Sequence, residues 1–140
     1  MEVTIGSKPQ SEGSRKIKEH FSDKHATIKH CPVTDIIARI SDKWSMHVII
    51  FLGKAGKMRF SEMKKEIEGI SQRMLTVTLR NLEEDGLITR TVYAEVPPRV
   101  EYQLTSMGES LLLQLIPLSE WANRNMEQIL RSREEHILKG

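Results

Sequence analysis

Gln72, Arg73, Thr76 and Arg80 lie within nine residues, at spacings that place all four on one face of an α-helix with Val77 at its border. Two guanidinium groups, an amide and a hydroxyl gathered on one face make a surface that can meet an anion. The rest of that stretch, GISQRMLTVTLRNLEEDGL at 69–87, shows how the surface is held. Leu75, Leu79 and Leu82 form a separate apolar stripe that needs a core to pack against. Ser71 can cap the first turn through its hydroxyl, and Gly86 stands where helices stop, so a helix is predicted from Gln72 to about Asp85. Charge is polarised along it. Arg73 and Arg80 come early, whereas Glu83, Glu84 and Asp85 crowd the last turn, where acids oppose the helix dipole. The arrangement is sensible if the early turns approach an anion and the C-terminal end stays clear of it.

A chain of 140 residues is long enough for one domain with a proper core. Its 29% charged and 39% hydrophobic residues are ordinary for a soluble globular protein. No apolar run is long enough for a bilayer, and the opening MEVTIGSKPQSEGSRK lacks the apolar core of a signal peptide, so a cytoplasmic protein without membrane partners is expected. The single cysteine, Cys31, excludes an internal disulfide and any multi-cysteine zinc site. A net charge of +2 does not by itself announce a nucleic-acid partner. Its distribution says more: Lys54 to Arg80 holds seven Lys/Arg against three acids.

The elements around the helix follow from pattern. Residues 1–30 read as a flexible N-terminal segment, disordered over 1–13 and with a short helix within 14–30, where Ile17 and Phe21 stand four apart. Pro32 starts a helix with Ile36, Ile37 and Ile40 on its apolar side. Asp42 caps the next, which buries Trp44, Val48, Ile49 and Leu52 and ends at GKAG. FSEMKKEIEG is a short third helix with Ser61 as cap, Met63 and Ile67 inward, and Glu62–Lys65 or Lys64–Glu68 as surface pairs. After Gly86 the period changes to that of strands. LITRTVY and RVEYQLT form a hairpin whose AEVPP tip protrudes, because two prolines cannot continue a ladder. A long helix follows, with a bend expected at Pro117.

Two helices joined by a tight turn and followed by a hairpin make a winged helix-turn-helix, here over 31–105, in a mainly α fold with a small β-hairpin wing and additional terminal dimerisation helices. In that arrangement the second helix enters a major groove and the hairpin reaches the neighbouring backbone or minor groove. The candidate DNA contacts are Ser71, Gln72, Arg73, Thr76, Val77 and Arg80, with Lys57 and Arg59 ahead of the third helix and Arg90 and Arg99 on the wing. For Lys57 and Arg59 the alternative is a solvated loop. For Arg99 it is a salt bridge with Glu95 or Glu101, and Arg90 carries a similar doubt. The helix over 106–140 carries Leu111, Leu115, Leu118, Trp121 and Met126, more apolar surface than one small domain covers, which points to a homodimer.

The motifs CP at 31–32, DKW at 42–44, ISQRMLTVTLRNLEEDGLI at 70–88 and VPPRVEYQLT at 96–105 also resemble the HxlR-type transcriptional regulators, relatives of the MarR group. The resemblance covers about 31–125 and implies a homodimer that binds double-stranded operator DNA. It also places Cys31 where redox-sensing members carry a cysteine, so an oxidant or small-molecule effector is an expectation. Lys29, His30 and the following helix start could lower the thiol pKa, while a small inert packing residue is the alternative. The longer N-terminal segment and the tail after Asn125 depart from the family pattern.

Other functions find less support. The five histidines show no metal-ligand spacing, and His25, His30 and Cys31 are a poor ligand set, so no metal or cofactor is expected. No P-loop, nucleophile elbow or paired catalytic carboxylates appear, which argues against an enzyme. The competing reading is a winged-helix module whose exposed face docks a protein. Arg73, Arg80 and the basic 54–65 segment favour DNA.

Overall fold

The computed structural model describes residues 11–20 and 32–140. They fall into two compact units, one ending at Ala38 and the other running from Arg39 to Gly140. In the first unit α1 spans Glu12–His20, so residues 12 and 13 are helical although the sequence suggested disorder there. Ser11 caps it by accepting from the Ser14 amide at 3.1 Å, and Lys16 pairs with Glu12 at 2.8 Å. The rest of the helix expected within 14–30, and Cys31, lie outside the described residues. Helix α2, Pro32–Ile40, starts at the proline, whose missing N–H costs nothing in a first turn.

The second unit holds α3 (Lys43–Ala55), β1 (Lys57–Arg59), α4 (Phe60–Glu66), α5 (Gln72–Glu84), β2 (Ile88–Tyr93), β3 (Arg99–Leu104) and α6 (Ser106–Lys139). Asp42 caps α3 as expected, its carboxylate accepting from the amides of Trp44 at 3.1 Å and Ser45 at 3.0 Å. Strand β1 was not expected. It pairs antiparallel with β3, Met58 opposite Tyr102, and turns the hairpin into a three-stranded sheet of order β1–β3–β2. Three residues are too few to display a period of two, so the strand exists only through its partner.

The same strand corrects the start of α4. Ser61 lies inside the helix rather than capping it, because the chain stays extended as far as Arg59, whose N–H donates to Glu62 at 3.0 Å. That bond takes the Glu62 carboxylate, and neither Glu62–Lys65 nor Lys64–Glu68 is among the ion pairs of the described residues.

The core gathers Val48, Ile49 and Leu52 from α3, Met63 and Ile67 from α4 and its end, Leu75 and Leu82 from α5, and Ile88 from β2. Trp44 is half-buried against it, a packing residue as the sequence suggested. Helix α6 begins fastened to the turn that ends α5. The Thr105 N–H donates to the Leu87 carbonyl at 3.0 Å, and its hydroxyl donates to the Gly86 carbonyl at 2.7 Å and accepts from the Gly108 amide at 3.1 Å. The helix runs on through Pro117 without interruption.

In the first turns of α6, Leu115 is buried and Leu111 half-buried against the core of their own chain. The first turns of α6 pack on α3 closely enough that a Cβ at Gly53 would collide with Leu112. Beyond them Leu118, Trp121, Met126 and Leu130 stand about half exposed, at 54, 51, 51 and 49%.

Candidate nucleic-acid interface

Helix α5 is positioned by its two ends and one face. Gly69 turns the chain from α4 at φ +83°, a conformation that side chains with a Cβ rarely adopt. The Ser71 oxygen then accepts from the Met74 amide at 3.0 Å. At the far end Gly86 takes φ +75°, and the Leu87 N–H donates to the Leu82 carbonyl at 2.9 Å. Leu75, Thr78, Leu79 and Leu82 are buried, which fixes the rotation of the helix about its axis. The opposite face is therefore presented to solvent.

That face is the one read from sequence. Gln72, Arg73, Thr76, Val77 and Arg80 line one shallow depression along α5. Arg73 and Arg80 have no ion-pair partner among the described residues, so their guanidinium donors face water. Thr76 differs, because its hydroxyl donates to the Gln72 carbonyl at 2.8 Å. Ser71 stands at the mouth of the helix, its oxygen engaged as the cap.

The tertiary structure also joins residues that sequence could not place together. Arg80 from α5 and Arg90 from β2 line a second cleft of about 290 Å³ between helix and wing. Phe60, Leu79 and Tyr102 supply its apolar lining, and Thr76 and Glu83 complete it. Lys57 and Arg59 are exposed on β1, at the sheet edge opposite to β2, and line neither depression.

Arg99 is held by its own hairpin. It lies 3.4 Å from both Glu95 and Glu101, and its guanidinium stacks 4.1 Å above the Tyr93 ring. Its Nε is buried, close enough to Glu101 for charge attraction but not aligned for a hydrogen bond. The salt-bridge alternative is thus the geometry found, and the cation is neutralised by two acids. At the tip it is Val96 that is fully exposed, at 101%.

A residue that sequence reasoning passed over explains the acidic end of α5. Arg39 Nε donates to Asp85 at 2.9 Å, and its Nη2 reaches Glu84 at 3.2 Å and the Asn81 carbonyl at 3.5 Å. These bonds, led by that to Asp85, raise the Arg39 pKa above its ordinary value. A cation there also offsets the unfavourable encounter of acids with the helix C-terminus. The signal present in the sequence is three acids in a last turn that itself holds no base, but nothing local points to a partner 46 residues away. Among the described residues no helix is long and apolar enough to cross a membrane, and no group of His, Cys, Asp and Glu is placed to hold a metal ion.

A capped helix locked by its apolar stripe, preceded by a tight turn and a shorter helix and followed by a sheet-backed hairpin, defines a winged helix-turn-helix protein of the DNA-binding, MarR-like kind. The chain belongs to the HxlR-like helix-turn-helix family, whose model matches residues 39–130. The HTH-type transcriptional regulator YtfH of Escherichia coli is 30% identical over 119 residues, covering 85% of this chain and 94% of that one. Among solved structures, the ytfH regulator from Salmonella typhimurium superimposes with a TM-score of 0.70 at 34% identity, over 76% of this chain and 94% of the other. The redox regulator HypR in its oxidised form gives a TM-score of 0.62 at 41% identity, over 68% and 97%. This chain is accordingly a transcriptional regulator with a helix-turn-helix fold.

Proposed function

We propose that the protein binds operator DNA sequence-specifically as a homodimer, with α5 in the major groove and the wing beside it. The observation that carries this reading is the α5 face itself: Arg73 and Arg80, exposed and without an ion-pair partner among the described residues, share it with Gln72, Thr76 and Val77 on a helix that its buried leucines hold in one orientation. A protein-docking face would be expected to be acidic or strongly apolar. Arg90, sharing a cleft with Arg80, is the wing cation best placed to follow the adjacent backbone. Arg99, paired with two glutamates, contributes less.

The dimer rests on the outer part of α6, where Leu118, Trp121, Met126 and Leu130 are about half exposed. An apolar stripe of that kind commonly marks an interface. Two α5 helices would then lie about one DNA turn apart, ~34 Å, and call for an inverted repeat. Sedimentation of the purified protein should give a dimer at micromolar concentration, and selection from a random DNA pool should enrich an inverted repeat. Trp121→Glu should shift sedimentation toward monomer and weaken operator binding together. A monomer that binds the selected DNA at full affinity would overturn the dimer.

The likeness to a redox regulator bears on Cys31. As the chain's only cysteine, it can respond to oxidation by joining the partner's Cys31 or by a mixed disulfide with a small thiol. If Cys31 is the sensor, diamide changes operator affinity in the wild type and leaves Cys31→Ser unchanged. An equal response from the serine variant, or none from the wild type, assigns Cys31 to packing.

A further inference from the structure

The middle of the α5 reading face offers branched apolar groups and no free hydroxyl donor, and this bears on which bases it can recognise. Thr76 is exposed, yet its hydroxyl hydrogen is committed to the Gln72 carbonyl at 2.8 Å. A threonine bonded back to its own helix in this way has no hydroxyl donor left for a base, and its γ-methyl is free to make contact. Val77, next to it in the same depression, is 38% exposed. Two branched side chains therefore stand side by side between Arg73 and Arg80. Exposure of this kind is not needed by the core, which Leu75, Thr78 and Leu79 of the same helix fill.

In a major groove the one apolar group on a base edge is the 5-methyl of thymine, whereas guanine offers two acceptors that match a guanidinium fork. We infer that Thr76 and Val77 read a thymine 5-methyl group, flanked by guanine contacts from Arg73 and Arg80. From residue 73 to residue 80 the helix rises about 10 Å, close to three base-pair steps, so the flanking and central positions fit one short half-site. The inference rests on α5 being the DNA-reading helix and names the chemistry of that reading.

The test uses the full-length protein and the operator it selects from a random pool. Each thymine of a half-site is replaced in turn by uracil, which removes only the 5-methyl. One thymine should lose about fourfold in affinity on replacement, the equivalent of ~0.8 kcal/mol for one methyl taken out of contact. Thr76→Val keeps a methyl and lacks the hydroxyl, so it should still discriminate thymine from uracil. Thr76→Ser keeps the hydroxyl and lacks the methyl, so with Val77→Ala it should lose that discrimination. If no uracil replacement matters while Arg73→Ala and Arg80→Ala weaken binding, the methyl reading is wrong and the assignment of α5 stands. If Thr76→Ser behaves as wild type and Thr76→Val does not, the hydroxyl reads a base edge and the inference is overturned. If neither the arginines nor the thymines matter, α5 is not the reading helix and both proposals fall.

Discussion

Arg73→Ala and Arg80→Ala should each lower affinity for the selected operator by roughly 5- to 150-fold, corresponding to ~1–3 kcal/mol for an arginine that reads a base edge. Neither change should lower the melting temperature, because both side chains lie on the exposed face of α5 and neither takes part in an ion pair among the described residues. The salt dependence separates two roles. An arginine on phosphate weakens binding to all sequences alike and reduces the salt slope by about one unit, whereas one on a base edge mainly relaxes sequence preference. Arg80 faces both the α5 depression and the cleft shared with Arg90, so it can show both effects. Mobility-shift titrations at several salt concentrations measure this. If both variants bind the operator as tightly as wild type, the reading face is misassigned.

The second large effect is on folding. Gly108→Ala would normally help a helix by ~0.5–1 kcal/mol. Here a Cβ at position 108 would be driven into the Leu87 carbonyl oxygen and crowd the Leu104 side chain. The carbonyl cannot withdraw freely, because it accepts the Thr105 N–H and lies in the turn that fastens α6 to the end of α5. Overpacking against backbone costs about 1–3 kcal/mol or more, so the sign reverses. Thermal melts should fall by roughly 5–20 °C, taking 4–8 °C per kcal/mol for a domain near this size. Gly53→Ala, whose Cβ meets the flexible Leu112 side chain first, should be milder. A Gly108→Ala variant that melts at or above the wild type would show that the contact relaxes without cost.

The geometry of the wing also bears on how far sequence can be trusted for single contacts. Arg99 and Arg90 look alike in sequence, as arginines in a hairpin. In the fold, Arg99 is enclosed by Glu95, Glu101 and the Tyr93 ring, while Arg90 opens into the cleft beside Arg80. The two acids of Arg99 are local, Glu95 at the tip and Glu101 two residues on along the same strand, whereas the strand register sets Tyr93 opposite Arg99 and Tyr102 opposite Arg90. That register is a property of the pair of strands, not of either one.

The amino-acid sequence by itself determined what local interactions decide. Ser71 as cap, Gly86 as stop, the buried leucine stripe and the opposed Gln72–Arg73–Thr76–Arg80 face of α5 all follow from contacts within four residues along a helix, and the structure has them as expected. The hairpin and its 94–98 tip follow equally from alternation and two prolines. The tertiary structure alone decided the rest. Strand β1 is too short to signal itself and exists because β3 offers an edge. Leu111 and Leu115 read like Leu118 and Trp121, and only the packing of the first turns of α6 on the core separates the covered residues from the exposed ones. Arg39 meets Glu84 and Asp85 because the fold of the second unit carries its first residue to the end of α5. Such pairings couple residues dozens of positions apart, and a periodicity measured over one or two helical turns contains no term for them.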